Sequence, residues 1–190
     1  MKEIAIIGST ASGKTALSLQ IASITNSIIL SLDSLCVYKD IEIASAKPTL
    51  EERGDIVHFG IDEVFPNVDF DVIKFIELYK KTKDYALKNG KNLIIVGGTG
   101  FYLKALIEGL SQGVDSKIKL DIPQDEAYDL LYSLDKEYMK KIEKNDRYRI
   151  EKAYAIYKQT DLSPTSYFEK NPKIPVAKDL KIFEILWPKD

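Results

Sequence analysis

Apolar residues fall along this chain in two rhythms. Ile4 to Ile7, Ile28 to Leu30 and Leu93 to Val96 are short unbroken runs, the length and composition of strands buried on both faces, as in a parallel sheet. Between and after them the apolar positions recur at helical spacing. Lys14 to Ile24 carries Ala16, Leu17, Leu19, Ile21 and Ala22, while Asp71 to Lys88 carries Val72, Phe75, Ile76, Tyr79 and Ala86 before an Asn89-Gly90 stop. Phe101 to Glu108 forms a third helix, ended by Gly109. Strands alternating with helices predict an α/β domain, its parallel sheet covered by helices on both faces.

The pattern weakens between these elements. Thr49 and Glu52 are spaced as a capping box opening one helical turn. Residues 111–124, with Gly113 and Pro123, read as a loop joining the sheet domain to a small helical appendage. Helices are expected over 125–132, 135–143 and 146–158, the last capped by Asp146 with Ile150, Ala153, Tyr154 and Tyr157 on one face. Ser163-Pro164 starts another short helix, and Leu180 to Trp187 reads as a late strand returning to the sheet. The expected organisation is a core over 1–110, a small helical appendage over 111–144, and helices with a late strand over 145–190.

Composition adds boundaries. At 190 residues the chain suits one principal domain with small appendages. Its start turns into a glycine loop after four apolar residues, which excludes a signal peptide or membrane span there and makes the cytoplasm the expected location. One cysteine, Cys36, and one histidine, His58, cannot build a disulfide or a Cys/His zinc cluster within the chain. Both are expected as packing residues. A required metal would be magnesium, held by oxygen and phosphate. The net charge of −2 argues against wrapping nucleic acid by bulk electrostatics. Residues 135–160 hold eight Lys or Arg against five acids, a mixed-charge solvated face first and a nucleic-acid face second. No long heptad pattern suggests self-association, so a monomer is expected.

The chemistry concentrates at three loops. Gly8, Gly13, Lys14 and Thr15 satisfy G-x-x-x-x-G-K-[ST] between a strand and a helix, the pattern of nucleotide-binding, ATP-binding phosphate loops. Backbone amides and the helix start would surround an anion, Lys14 would neutralise its oxygens, and the Thr15 hydroxyl can ligate magnesium. The fold expected is therefore P-loop NTPase-like. Leu93 to Val96 runs into Gly97-Gly98-Thr99 with no carboxylate, which disfavours a hydrolase and leaves a transferase that excludes water. Asp33 leaves the second strand near that loop, either as a turn residue or as a general base. Thr99 would sit at the same sheet edge. Lys47 is, by residue frequency, a solvated lysine. A small-molecule or nucleotide kinase, with Asp33 deprotonating a hydroxyl, also fits the size and the loop.

The ordered set GSTASGKT, SLDSLCVY, SAKP, VGGTGFYLKALIEGL and NDRYRIEKAYAIY resembles the tRNA dimethylallyltransferases, also called tRNA isopentenyltransferases. The resemblance covers most of residues 4–165 and is more specific than the loop alone. It implies transfer of the five-carbon group of dimethylallyl diphosphate to the exocyclic N6 amine of the adenine 3′ of the anticodon. It further implies that Gly8, Thr10, Ala11, Ser12, Gly13, Lys14 and Thr15, with Arg149, hold the diphosphate and magnesium. Asp33 would take the amine proton, Thr99 would position the amine, and Asp33, Ser34, Leu35, Cys36 and Lys47 would contact the tRNA anticodon stem-loop. Four positions depart from the family pattern: Cys36 for glutamine, Ser45 for threonine, Val57-His58-Phe59 for a histidine pair, and Lys152 for the second arginine of N-D-x-x-R-x-x-R. The family's chains also continue past the late strand, so a shortened form is expected.

Overall fold

A computed structural model describes residues 1–41, 47–111, 113–114 and 118–186. Ser45 and Ala46 of the SAKP stretch, and Trp187 at the end of the expected late strand, lie outside the described residues. The chain forms two compact units, Met1–Glu108 with Pro175–Asp190, and Gly109–Ile174.

The first unit is a parallel sheet of five strands: β1 (Glu3–Gly8), β2 (Ser27–Leu32), β3 (His58–Phe59), β4 (Asn92–Gly97) and β5 (Lys181–Ile185). Their order across the sheet is β3-β2-β4-β1-β5. β2 is buried along its whole length and lies in register with β4 from Ser27 opposite Asn92 to Leu32 opposite Gly97. This explains the unbroken apolar runs: strands inside a parallel sheet bury both faces. α1 (Lys14–Thr25) follows β1, and Ala22 packs with Ile6, Ile29 and Ile94 on one face of the sheet. α2 (Leu50–Arg53) is one turn with both halves of its Thr49/Glu52 capping box formed. α3 (Val72–Lys88) buries Phe75, Ile76 and Tyr79, and the Asp71 carboxylate accepts from the amides of Ile73 and Lys74 at its start. α4 (Gly100–Glu108) packs on α3, where Tyr102 stacks on Phe75 with ring centroids 4.5 Å apart.

Pattern reading missed β3, a strand of two residues whose amphipathic alternation has no length in which to show. The late strand is confirmed as β5, which pairs with β1 from Ile4 opposite Lys181 to Gly8 opposite Ile185. At Gly97 the chains approach so closely that an added Cβ would lie 2.2 Å from the Leu32 carbonyl oxygen. Only glycine permits β2 and β4 to end side by side there.

The second unit holds α5 (Gln124–Leu134), α6 (Lys136–Met139), α7 (Arg147–Thr160) and α8 (Pro164–Lys170). Its core joins Ala127, Tyr128, Leu131, Met139, Ile142, Ile150, Ala153 and Tyr154. The helix expected over 135–143 is a single turn. The half-buried cluster around Asp135 accounts for this: one carboxylate oxygen caps α6 through Tyr138 N, and the other accepts from Thr165 N ahead of α8. Most of the basic segment is paired within this unit, as Lys140 with Glu137, Lys144 with Asp129, Arg147 with Glu151 and Lys158 with Asp121. Among the described residues no helix is long and apolar enough to cross a membrane.

Candidate active site

The loop from Gly8 to Lys14 turns because two of its residues take left-handed backbone angles. Gly13, at the start of α1, has φ +81°, and Ala11 has φ +61°, uncommon for a residue with a side chain. α1 has no acidic residue in its own first turn to offset the positive end of its dipole. Lys14 bends back over the loop, its ammonium donating to the Ser9 carbonyl and lying 3.4 Å from Ser12 Oγ. Burial lowers the Lys14 pKa, and the nearby Asp33 charge pulls it back up. A cation that leans on neutral oxygens and feels a carboxylate is poised to exchange them for phosphate oxygens.

A cavity of about 310 Å³ opens beside the loop, at the carboxyl ends of the strands. Thr10, Ala11, Lys14 and Thr15 line it from the loop; Asp33, Leu35 and Cys36 line it from the segment after β2. Asp33 is bonded through one carboxylate oxygen. Its Oδ1 accepts from Leu35 N at 2.8 Å and Cys36 N at 3.3 Å, the turn role, while Oδ2 has no partner among the described residues. Ser34, exposed, donates its backbone amide to Thr99 Oγ1 at 3.2 Å, and Thr99 N in turn bonds the Leu32 carbonyl at 3.1 Å. Thr99 is thus tied to the segment that carries Asp33, although it does not itself line the cavity. The cavity wall is completed by Gly97 and Gly98 from β4.

Other expected residues stand differently. Lys47 is not solvated: its side chain is 4% exposed and its ammonium lies 2.7 Å from the Asp62 carboxylate, with the Tyr38 carbonyl as second acceptor. Arg53 reaches the other Asp62 oxygen at 3.5 Å. Burial acts to raise the Asp62 pKa, but the hydrogen bond and charge of Lys47, then those of Arg53, outweigh it and hold the carboxyl below its ordinary range. Arg149 belongs to the second unit, where its guanidinium pairs with Asp146 at 2.9 Å on an exposed face. Cys36 is buried against the cavity, and burial and then the Asp33 charge push its thiol up to about 11, against the opposing Ser31 hydrogen bond and the Lys47 and Arg53 charges. It therefore stays protonated and unreactive at neutral pH.

Pattern reading had set aside His58, which lines this cavity with Ser18, Ile29 and Ser31. The available signal was register: Ile29, Ser31 and Asp33 alternate onto one face of β2, and β3 places His58 opposite Ile29. Among the described residues no group of three or more His, Cys, Asp or Glu could hold a metal. The donors that do face the cavity, the Thr15 hydroxyl and Asp33 carboxylate, are hard oxygens, the kind that magnesium shares with waters and phosphate oxygens.

The family model described as IPP transferase matches residues 36–190. A tRNA dimethylallyltransferase of Aliarcobacter butzleri is 83% identical over the whole chain, which covers 65% of that relative, and one of Campylobacter curvus is 49% identical over 97% of the chain and 62% of its own length. The chain thus spans a little less than two thirds of these curated relatives. Among solved structures, a eukaryotic dimethylallyltransferase studied while acting on tRNA matches with a TM-score of 0.83 at 28% identity, over 97% of this chain and 48% of its own. A tRNA isopentenylpyrophosphate transferase of Staphylococcus epidermidis matches with a TM-score of 0.59 at 31% identity, over 97% and 63%.

Proposed function

Since the chain belongs to the IPP transferase family, we propose that it carries the catalytic centre of a tRNA dimethylallyltransferase, which moves a five-carbon allyl group from its diphosphate to the N6 amine of an adenine in the anticodon loop. Family membership sets aside the small-molecule kinase as the leading alternative. The phosphate loop then holds a leaving group and spends no ATP.

The chemistry follows from what the cavity provides. An exocyclic adenine amine is a weak nucleophile, so rate must come from alignment, proton removal and stabilisation of the departing charge. As the amine nitrogen bonds to C1 of the allyl chain, the C1–O bond breaks and its electron pair leaves with the diphosphate. Asp33 Oδ2 takes the amine proton; Oδ1 stays committed to the turn that aims it. Lys14, the loop amides and the positive end of α1 receive the diphosphate. Magnesium, with Thr15 as its protein ligand, would supply further neutralisation of that charge. Thr99 holds the Ser34 segment in place, and Ser34, Leu35 and Cys36 form the edge that a flipped adenine meets. Lys47 contributes from behind, as a buried tie rather than an RNA contact.

The observation that carries this reading is the shared cavity: Lys14 and Thr15 of an anion cradle face the same space as a carboxylate with one free oxygen. The test is incubation of the chain with an anticodon stem-loop, magnesium and dimethylallyl diphosphate, followed by nucleoside analysis. Alkylated adenosine with release of pyrophosphate is expected. Consumption of ATP with a phosphorylated product, and no alkylated RNA, would restore the kinase.

A further inference from the structure

α7 packs into the core of the second unit through Ile150, Ala153 and Tyr154. At about 100° per residue, Tyr148 and Lys152 fall together on the side of the helix opposite that stripe, one turn apart. Tyr148 is 70% exposed, more than any other tyrosine or phenylalanine among the described residues. The Lys152 ammonium stands over its ring, 5.5 Å from the centroid, and has no carboxylate partner among the described residues.

A single exposed tyrosine needs no explanation of its own. This one stands among cations. The Glu151 carboxylate, between Tyr148 and Lys152 in the chain, takes the Arg147 guanidinium at 2.9 Å and the Lys119 ammonium at 3.4 Å. Lys119, Arg147 and Lys152 therefore share one acid around the ring. The Glu151 side chain is 15% exposed, against 69% for Arg147 and 68% for Lys119. The negative charge is recessed, and the positive charge forms the outer layer. A carboxylate peptide or a lipid headgroup would engage the cations and leave the ring wet. An unpaired nucleotide uses both, because its base stacks on the ring while its phosphates meet the cations.

We propose that Tyr148 and Lys152 form a stacking platform for an unpaired base of the RNA substrate, with Lys152, Arg147 and Lys119 receiving the phosphates beside it. The proposal rests on the reading of this chain as a tRNA-modifying enzyme, and it adds an RNA contact made by residues that do not line the catalytic cavity.

Titration of the chain with three probes tests this: a labelled anticodon stem-loop, heparin as a polyanion without bases, and inorganic pyrophosphate. Tyr148→Ala is expected to weaken stem-loop binding by about 10-fold or more, while heparin and pyrophosphate affinities stay unchanged. Tyr148→Trp should keep the stem-loop affinity. The emission it adds over the unsubstituted chain should be quenched by the stem-loop and not by heparin, a signature of stacking that a structural role would not give. Lys152→Gln should weaken both polyanions and flatten the dependence of log affinity on log salt by about 0.7 for the stem-loop. Unchanged stem-loop affinity in Tyr148→Ala overturns the proposal and leaves the tRNA reading intact. So does an equal loss toward heparin, which would make the patch a site for charge alone. If the unsubstituted chain binds pyrophosphate but no stem-loop, the tRNA reading itself fails, and this inference fails with it.

Discussion

Asp33 is bonded through one carboxylate oxygen only, so a substitution can separate its turn contact from the proposed base role. Asp33→Asn keeps Oδ1 as acceptor for Leu35 and Cys36 while removing the proton-accepting charge. The expected outcome is a loss of about 10²–10⁴-fold in the single-turnover alkylation rate, with pyrophosphate affinity changed less than about 3-fold. Loss of both together in that assay would show that the loop, not the base, had failed. Lys14→Ala should do the reverse, weakening pyrophosphate binding by roughly 10–100-fold through loss of a charge-assisted bond. Both residues were legible in the sequence because their chemistry depends on local position, one at a strand's end and one in a glycine loop. His58 was not legible as a cavity residue. Its place depends on pairing between Ile29 and a strand that starts 29 residues later, which no local pattern records.

At the scale of elements, close approach and buried charge decide what can change. Gly97→Ala would put a methyl 2.2 Å from the Leu32 carbonyl, against backbone that cannot yield. It should cost about 3 kcal/mol in urea unfolding. At Gly98 the nearest atom to such a methyl is 3.8 Å away, so Gly98→Ala should stay within about 0.5 kcal/mol. Lys47 ties the segment after β2 to Asp62, and Lys47→Met should cost about 2 kcal/mol at neutral pH. Its pH dependence has a definite sign. The folded Asp62 pKa lies below its unfolded value, so its stabilisation is complete above the ordinary carboxylate range and fades as pH falls through the lowered value. Unfolding midpoints measured from pH 7 downward should therefore converge for wild type and Lys47→Met at the acid end. The lysine reads as solvated in the sequence because its partners, Tyr38 and Asp62, are distant along the chain and only the fold brings them together.

For the molecule as a whole, two cores mean two places where stability can be lost. Leu131 is fully buried in the second unit, and Leu131→Ala should cost about 3 kcal/mol, read as faster hydrogen exchange across α5, α6 and α7. The basic segment of that unit shows why charge along the chain is a poor guide to surface potential: Lys140, Lys144, Arg147 and Lys158 have carboxylate partners on their own unit. The sequence by itself determined the strand and helix alternation, the glycine-loop pattern from Gly8 to Thr15, the carboxylate after β2 and the family. Each of these is written in neighbouring residues, through spacing, turns and backbone freedom. Only the tertiary structure decided that β5 closes the sheet beside β1, that Lys47 is buried against Asp62, and that His58 stands in the same cavity as Lys14. Those are matters of which distant segments share a register or a charge, and a chain reveals them only once it has folded.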